Sequence, residues 1–311
     1  MKVILLCISL LFFISCSGEK SNQVSIGINH WIGYSPISLA QYNGYFKENG
    51  SKVIEYPSAT QVIRAFENEV ISVAGLTLDE TILLANKGLE LGIIAITDIS
   101  NGADALVVRN DIRSAKDLIG KKIGVENTAL GSYALAKFLQ KLNLNPQQMK
   151  IIPVEISDQE EYFINQEVDA LVTFEPVISN LKNKSAKVLI DSSSLENAII
   201  DVLVYNKKLL TTKQAGKLKD IWYQSLSDIQ KSSSKDSLEH IAKYLDISVE
   251  NVLEQREKLI IPNREYNDSL LHDESFLKKS LSDMKNIMLT NKIIHSLNAS
   301  LIIEPLVEKN E

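Results

Sequence analysis

Between residues 24 and 205, short apolar runs alternate with amphipathic stretches, and the alternation starts afresh halfway along. Strands that are apolar throughout, separated by helices, belong in parallel sheets whose two faces the chain's own helices cover. The first series predicts strands at 24–28, 52–55, 70–74, 91–96 and 105–109, with helices at 36–45, 60–68 and 79–87. After Ser114, a candidate N-cap, the second series predicts strands at 122–125, 150–154, 170–173 and 186–191, with helices at 132–141, 159–165 and 176–181. One further apolar strand is expected at 199–205. Beyond Asn206 the pattern becomes helix upon helix, at 213–231, 235–244, 248–258 and 274–291. Two successive series of this kind imply two α/β lobes and a helical C-terminal part.

The 311 residues carry 33 Lys+Arg against 39 Asp+Glu, a net charge of −6. This acidic balance argues against nucleic acid as the main partner, because binding to phosphates draws on a surplus of basic side chains. The two cysteines, Cys7 and Cys16, both stand near the start. The sequence after Cys16 therefore offers no internal disulfide and no thiolate metal site.

Residues 1–15 combine one early charge, Lys2, with a short apolar run, and the polar Ser17-Gly18-Glu19-Lys20 follows at once. This is the pattern of an export signal. The run is too short to span a bilayer comfortably, and no later segment has 18 uninterrupted apolar residues. Phe13-Ile14-Ser15-Cys16 resembles a bacterial lipobox, although Leu is the usual residue in the place of Phe13. That resemblance implies cleavage before Cys16, lipidation of Cys16, and a body tethered to a membrane outside the cytoplasm.

Familiar catalytic signatures are missing. Gly120-Lys121-Lys122 lacks the upstream glycine and the hydroxyl residue of a phosphate-binding loop. Gly33-Tyr34-Ser35-Pro36-Ile37 begins like a nucleophile elbow but has Ile37 where glycine is required. His30, His240, His272 and His295 show no metal-ligand spacing. No catalytic residue, metal or cofactor is expected.

Polar and aromatic residues gather instead after the predicted strands, where open α/β sheets bind their ligands. The clusters are 30–34, 77–80, 97–104, 127–133 and 174–176. Each has a second reading. Trp31 can plug a core, Thr77 and Ser132 can cap helices, Asp79 can favour the positive end of its helix, and Asn101-Gly102 is a turn signal. Glu175, held between Phe174 and Pro176, is expected to be partly buried and in need of a partner.

In this order along one chain, several segments together resemble a known family. They are Gly27 to Pro36, Asn43-Gly44-Tyr45-Phe46, Ala74 to Glu80, Asp98 to Leu106, Asp117 to Val125, Glu167-Val168-Asp169-Ala170, Thr173-Phe174-Glu175-Pro176 and Asp201-Val202-Leu203-Val204. The resemblance is to the type II periplasmic solute-binding proteins of the nitrate/sulfonate/taurine and thiamine-pyrimidine kind, which feed ABC importers. It implies an α/β, two-lobed periplasmic-binding-protein type II fold with a ligand cleft between the lobes. Carried onto this chain, lobe 1 is 24–107 and lobe 2 is 108–198. The return crossing strand and C-terminal helices, 199–311, pack on lobe 1. The implied ligand-binding residues are Trp31, Tyr34, Thr77, Asp79, Ser100, Asn101, Gly131, Ser132, Glu175 and Asp201. The implied partners are a small solute and ABC permease and ATPase subunits, with the chain itself a monomer.

Asp79, Asp98, Asp104 and Glu175 stand in the five clusters, whereas Arg and Lys are absent from them. This balance favours a ligand with cationic or N–H-rich character, and a flat part for Trp31 and Tyr34 to cover. A pyrimidine fits that description, and a zwitterion such as taurine fits it less well. Two other readings share the fold: a sensing or adhesion lipoprotein, and an enzyme related to thiamine-pyrimidine synthases. The enzymes are cysteine-rich and intracellular, unlike this chain.

Overall fold

The computed structural model describes residues 24–47, 50–182, 184–231 and 235–306. The leader, Cys16 and the polar Ser17-Gly18-Glu19-Lys20 lie outside the described residues. The chain opens with β1 (Ser25–Asn29), α1 (Ser35–Tyr42), β2 (Lys52–Tyr56), α2 (Ala59–Glu67), β3 (Val73–Thr77), α3 (Leu78–Asn86) and β4 (Leu91–Ser100). It continues with β5 (Asp104–Arg109), β6 (Lys122–Val125), α4 (Ala129–Lys141), β7 (Lys150–Pro153), α5 (Gln159–Ile164), β8 (Ala170–Phe174), α6 (Val177–Lys182) and β9 (Ala186–Asp191). The last part holds β10 (Ile200–Asn206), α7 (Thr212–Gln230), α8 (Lys235–Leu245), α9 (Val249–Glu257), β11 (Leu259–Ile260), α10 (Arg264–His272), α11 (Glu274–Thr290) and β12 (Ile303–Pro305).

These strands form two sheets, as the restart of the pattern suggests. The first has the order β11-β4-β10-β3-β1-β2, with β12 paired to β4, and the second has the order β7-β6-β8-β5-β9. The central strands of the first sheet, β3, β4 and β10, are buried along their whole length, which is why they read largely as apolar runs. Helices cover the faces through apolar stripes, as in α2, where Val62, Ala65 and Phe66 are buried.

Neither sheet is purely parallel, contrary to expectation. β10 runs antiparallel to both β3 and β4, and β5 runs antiparallel to β8 and β9. Alternation in sequence sets the layers, but a strand that enters from the other sheet can run against its neighbours. β5 pairs wholly within the second sheet, although the sequence reading kept the first lobe running to Val107. The sheets are therefore joined by residues 101–103 on one side and 192–199 on the other. Ser192 ties these two crossings together. Its hydroxyl bonds to that of Ser100 at 2.7 Å and accepts the Gly102 N–H at 2.7 Å.

Candidate functional site

The strand ends and crossings surround a cleft of about 270 Å³ between the two sheets. Thr77 and Asp201 line it from the first sheet, and Asp104 and Phe174 from the second. The loop and first turn after β1 supply His30, Trp31, Ile32 and Tyr34, while α8, the bend after it and α9 contribute Leu245, Ile247 and Gln255.

Trp31 is 6% exposed and donates its indole N–H to Asp98 Oδ2 at 3.2 Å. Its ring meets Phe174 edge-to-face at a centroid distance of 5.8 Å, a favourable aromatic geometry that bridges the two sheets. Gly33 makes the first of these contacts possible. A Cβ at this position would lie 1.7 Å from Asp98 Oδ2 and 2.6 Å from Trp31 Nε1. Tyr34 lies over Gly75, whose absent Cβ would come within 2.9 Å of the ring, and donates its hydroxyl to Asp201.

The cleft is strongly acidic. Glu80, Asp104, Glu126, Glu175 and Asp201 line it, and among the described lining residues there is no Lys or Arg. Burial pushes Asp79, Asp98 and Asp104 up to about 7 and Glu80 up to about 8. Burial, then the neighbouring Glu80 and Glu155, raise Glu126 to about 7. Asp201 is also raised well above the usual carboxylate range by burial and by Asp98. These groups retain protons near neutrality because ionising them together in a dry site is costly. Gln255 Nε2, Asp104 Oδ2 and Glu80 Oε1 have no hydrogen-bond partner.

Of the sequence-predicted residues, Trp31, Tyr34, Thr77, Glu175 and Asp201 meet at this cleft. The others do not line it. Asp79 is buried on α3 beneath it. Ser100 lies within β4 and bonds to Ser192. Asn101 is exposed, with its backbone N–H bound to Lys258 O at 2.8 Å. Gly131 and Ser132 sit in the first turn of α4, and Thr128 is the cap, its hydroxyl accepting the Gly131 N–H at 3.0 Å. Ser132 therefore faces shallower surface pockets outside the cleft. Thr77 does cap α3, with Glu80 reaching back to accept the Thr77 N–H at 3.1 Å.

Glu175 has the partner that its burial demands, and the partner is basic. Lys258, at the end of α9, forms an ion pair with Glu175 Oε1, while Ser179 N donates to Oε2 at 3.0 Å. Lys258 lies outside the five clusters and 83 residues from Glu175, so no local pattern points to the pair. Glu126 was also missed. It follows β6 directly, a position that the strand-end rule could have flagged.

Among the described residues, no group of three or more His, Cys, Asp or Glu side chains is arranged to hold a metal ion, and no helix is long and apolar enough to cross a membrane.

The fold has well-defined relatives. The alkanesulfonate-binding protein SsuA from Xanthomonas axonopodis pv. citri, bound to MOPS, superposes with a TM-score of 0.73 at 16% identity, over 91% of this chain and 98% of its own. The periplasmic aliphatic sulphonate binding protein SsuA from Escherichia coli gives 0.72 at 16% identity, over 88% and 94% of the two chains. The architecture is thus the two-sheet α/β fold of periplasmic binding proteins. In sequence, the taurine-binding periplasmic protein of Escherichia coli (strain K12) is 23% identical over 179 residues, 57% of this chain. The match spans only 56% of that relative's length. A family model described as NMT1/THI5 like matches residues 31–222, more than half of the chain, and the protein belongs to this NMT1/THI5-like family.

Proposed function

We propose that this protein is the extracytoplasmic solute-binding component of an ABC importer, and not an enzyme. It captures a small nitrogen- or sulfur-containing organic solute, thiamine-pyrimidine-like or taurine-like, and passes it to a membrane permease with its ATPase. The observation that carries this reading is the cleft itself. Its wall is shared by strand ends of both sheets and spanned by the Trp31–Phe174 contact. A solute touching both sheets favours the closed arrangement through contacts that an open one lacks. Family membership and the taurine-binding relative support the same reading.

In this proposal, one lobe is built on residues 24–100 together with 199–306 and the other on 104–191. The body acts as a monomer, and the lipid on Cys16 holds it to the membrane. Cys16→Ser then leaves the protein unlipidated and largely uncleaved. Normal processing and membrane retention of that variant would refute the anchor. The importer reading is tested by a thermal-shift screen against pyrimidines, amines, sulfonates and inorganic anions. A true ligand raises the midpoint with the logarithm of its concentration. If no small solute in these classes does so, the binding role fails.

A further inference from the structure

Five buried acids line the cleft, Asp79 and Asp98 are buried behind them, and they are not equally satisfied. Asp79 Oδ2 has no partner. Glu175 is balanced by Lys258 and Ser179 N. Asp201 accepts the Tyr34 hydroxyl. Asp98 Oδ2 receives Trp31 and Thr97, but its Oδ1 has no partner. Glu126 has only a long contact of 3.5 Å with the Thr128 hydroxyl. Glu80 and Asp104, which are 1% and 4% exposed, line the cleft with Oε1 and Oδ2 unpartnered. The basic groups nearby are already engaged. Lys258 pairs with Glu175 and Glu254, and His30 sits at the rim 3.8 Å from Glu55. Tyr34, which meets Asp201, and Tyr133, which lies near Asp79, are pushed towards their neutral forms first by burial.

Such a pocket disfavours an anion, which would add charge to a site that already resists ionisation. A cation brings the missing counter-charge, and its N–H groups match the unpartnered oxygens. The aromatic walls of Trp31, Tyr34 and Phe174 suit a flat cation. Resting on the solute-binding reading above, we propose that the cleft takes a flat organic cation of the amidinium or guanidinium type, held by the unpartnered oxygens of Glu80 and Asp104. Because burial favours the protonated forms of these acids, the cation enters in exchange for protons. The exchange balances. Each acid that ionises against the ligand releases one proton to bulk water, so a monocation that displaces one proton leaves the charge of the site unchanged. Gln255 Nε2 remains available to an acceptor atom elsewhere on the ligand.

The test is isothermal titration calorimetry of the purified protein with three probes of one shape: benzamidine (cationic), benzamide (neutral) and benzenesulfonate (anionic). Titrations run from pH 5.5 to 8 in buffers of differing ionisation enthalpy. The expected result is that benzamidine binds at least about tenfold more tightly than benzamide at pH 7.5, the scale of one charge-assisted contact. Its affinity rises with pH, by up to about tenfold per unit for a one-proton exchange, and protons are released. In Glu80→Gln/Asp104→Asn the preference for benzamidine and the proton release are both lost, while the folded midpoint at pH 8 is unchanged or raised. The inference is overturned if benzamidine fails to bind at millimolar concentration, if its affinity is flat or falls with pH, or if benzenesulfonate binds more tightly. In those cases a hit in the thermal-shift screen leaves the solute-binding reading standing, whereas silence in both experiments removes it as well.

Discussion

Removing the Lys258 ammonium isolates the Glu175 carboxylate. The Glu175 side chain is 0% exposed and that of Lys258 is 20% exposed, so this pair lies between a surface bridge and a fully buried one. Exposed pairs contribute at most about 1 kcal/mol, whereas breaking a buried pair from one side costs about 3–5 kcal/mol. In Lys258→Met the carboxylate keeps the Ser179 N–H at 3.0 Å, which offsets part of the loss. The expected destabilisation is therefore about 2–4 kcal/mol, set by the charge left behind. Glu175→Gln lowers the demand for a counter-ion while preserving shape. The double variant Lys258→Met/Glu175→Gln should then be more stable than Lys258→Met alone. Urea unfolding of the four proteins measures the coupling as a double-mutant cycle. A Lys258→Met protein within about 0.5 kcal/mol of wild type, the spread of ordinary surface changes, would show that the pair does not hold the cleft's floor to α9. The same pair changes what Glu175 means for binding. A carboxylate already neutralised by lysine is a poorer partner for a cationic solute than Glu80 or Asp104.

Gly33→Ala forces a Cβ into the Asp98 carboxylate and the Trp31 indole. Overpacking at such a site costs about 1–3 kcal/mol, and urea unfolding should show at least that loss together with weakened solute binding; a neutral effect would mean that the Trp31–Asp98 contact is dispensable. The buried acids also set the pH dependence of the ligand-free protein. Asp79, Asp98, Asp104 and Glu126 rise from 3.8 or 4.5 to about 7, and Glu80 from 4.5 to about 8. The folded state therefore holds more protons than the unfolded one between about pH 4 and 8. Their stabilising contribution is full below the unfolded values and is lost as pH rises through the folded ones. The melting midpoint should thus fall from pH 5 to pH 8, and a flat or rising midpoint would contradict the buried-acid account.

Much of the architecture could be read from periodicity, because apolar runs bounded by turn residues have few alternatives to buried strands. The errors have particular causes. The third strand was placed at 70–74, but Val70 is 59% exposed in the turn after α2 and β3 begins only at Val73. An isolated valine carries the same hydropathy in a turn as in a sheet. Thr97, Asp98 and Ser100 read as a loop because they are polar, yet they belong to β4, where Trp31 meets Asp98 and Ser192 meets Ser100 from distant parts of the chain. Hydropathy cannot show that a buried acid will be met by an indole 67 residues away. The strand-end rule found the aromatic half of the cleft. It overextended to Asn101, Gly131 and Ser132, since a strand end gives position without side-chain direction. Lys258 and Gln255 come from the C-terminal helices, whose amphipathic pattern marks an inner face without saying what that face meets.

The central claim, that solute is held between the two sheets at Trp31, is tested most directly by tryptophan emission. The chain has two tryptophans. Trp31 lines the cleft, whereas Trp222 is fully buried in α7 and does not. In a Trp222→Phe background, a solute that stabilises the protein should change the remaining emission saturably, with one site per chain and the same midpoint as calorimetry. Trp31→Ala should weaken that solute by about 1–3 kcal/mol, the scale of a lost buried aromatic contact. A solute that raises the melting midpoint yet leaves Trp31 emission unchanged and binds Trp31→Ala with undiminished affinity would place the binding site elsewhere and contradict this account.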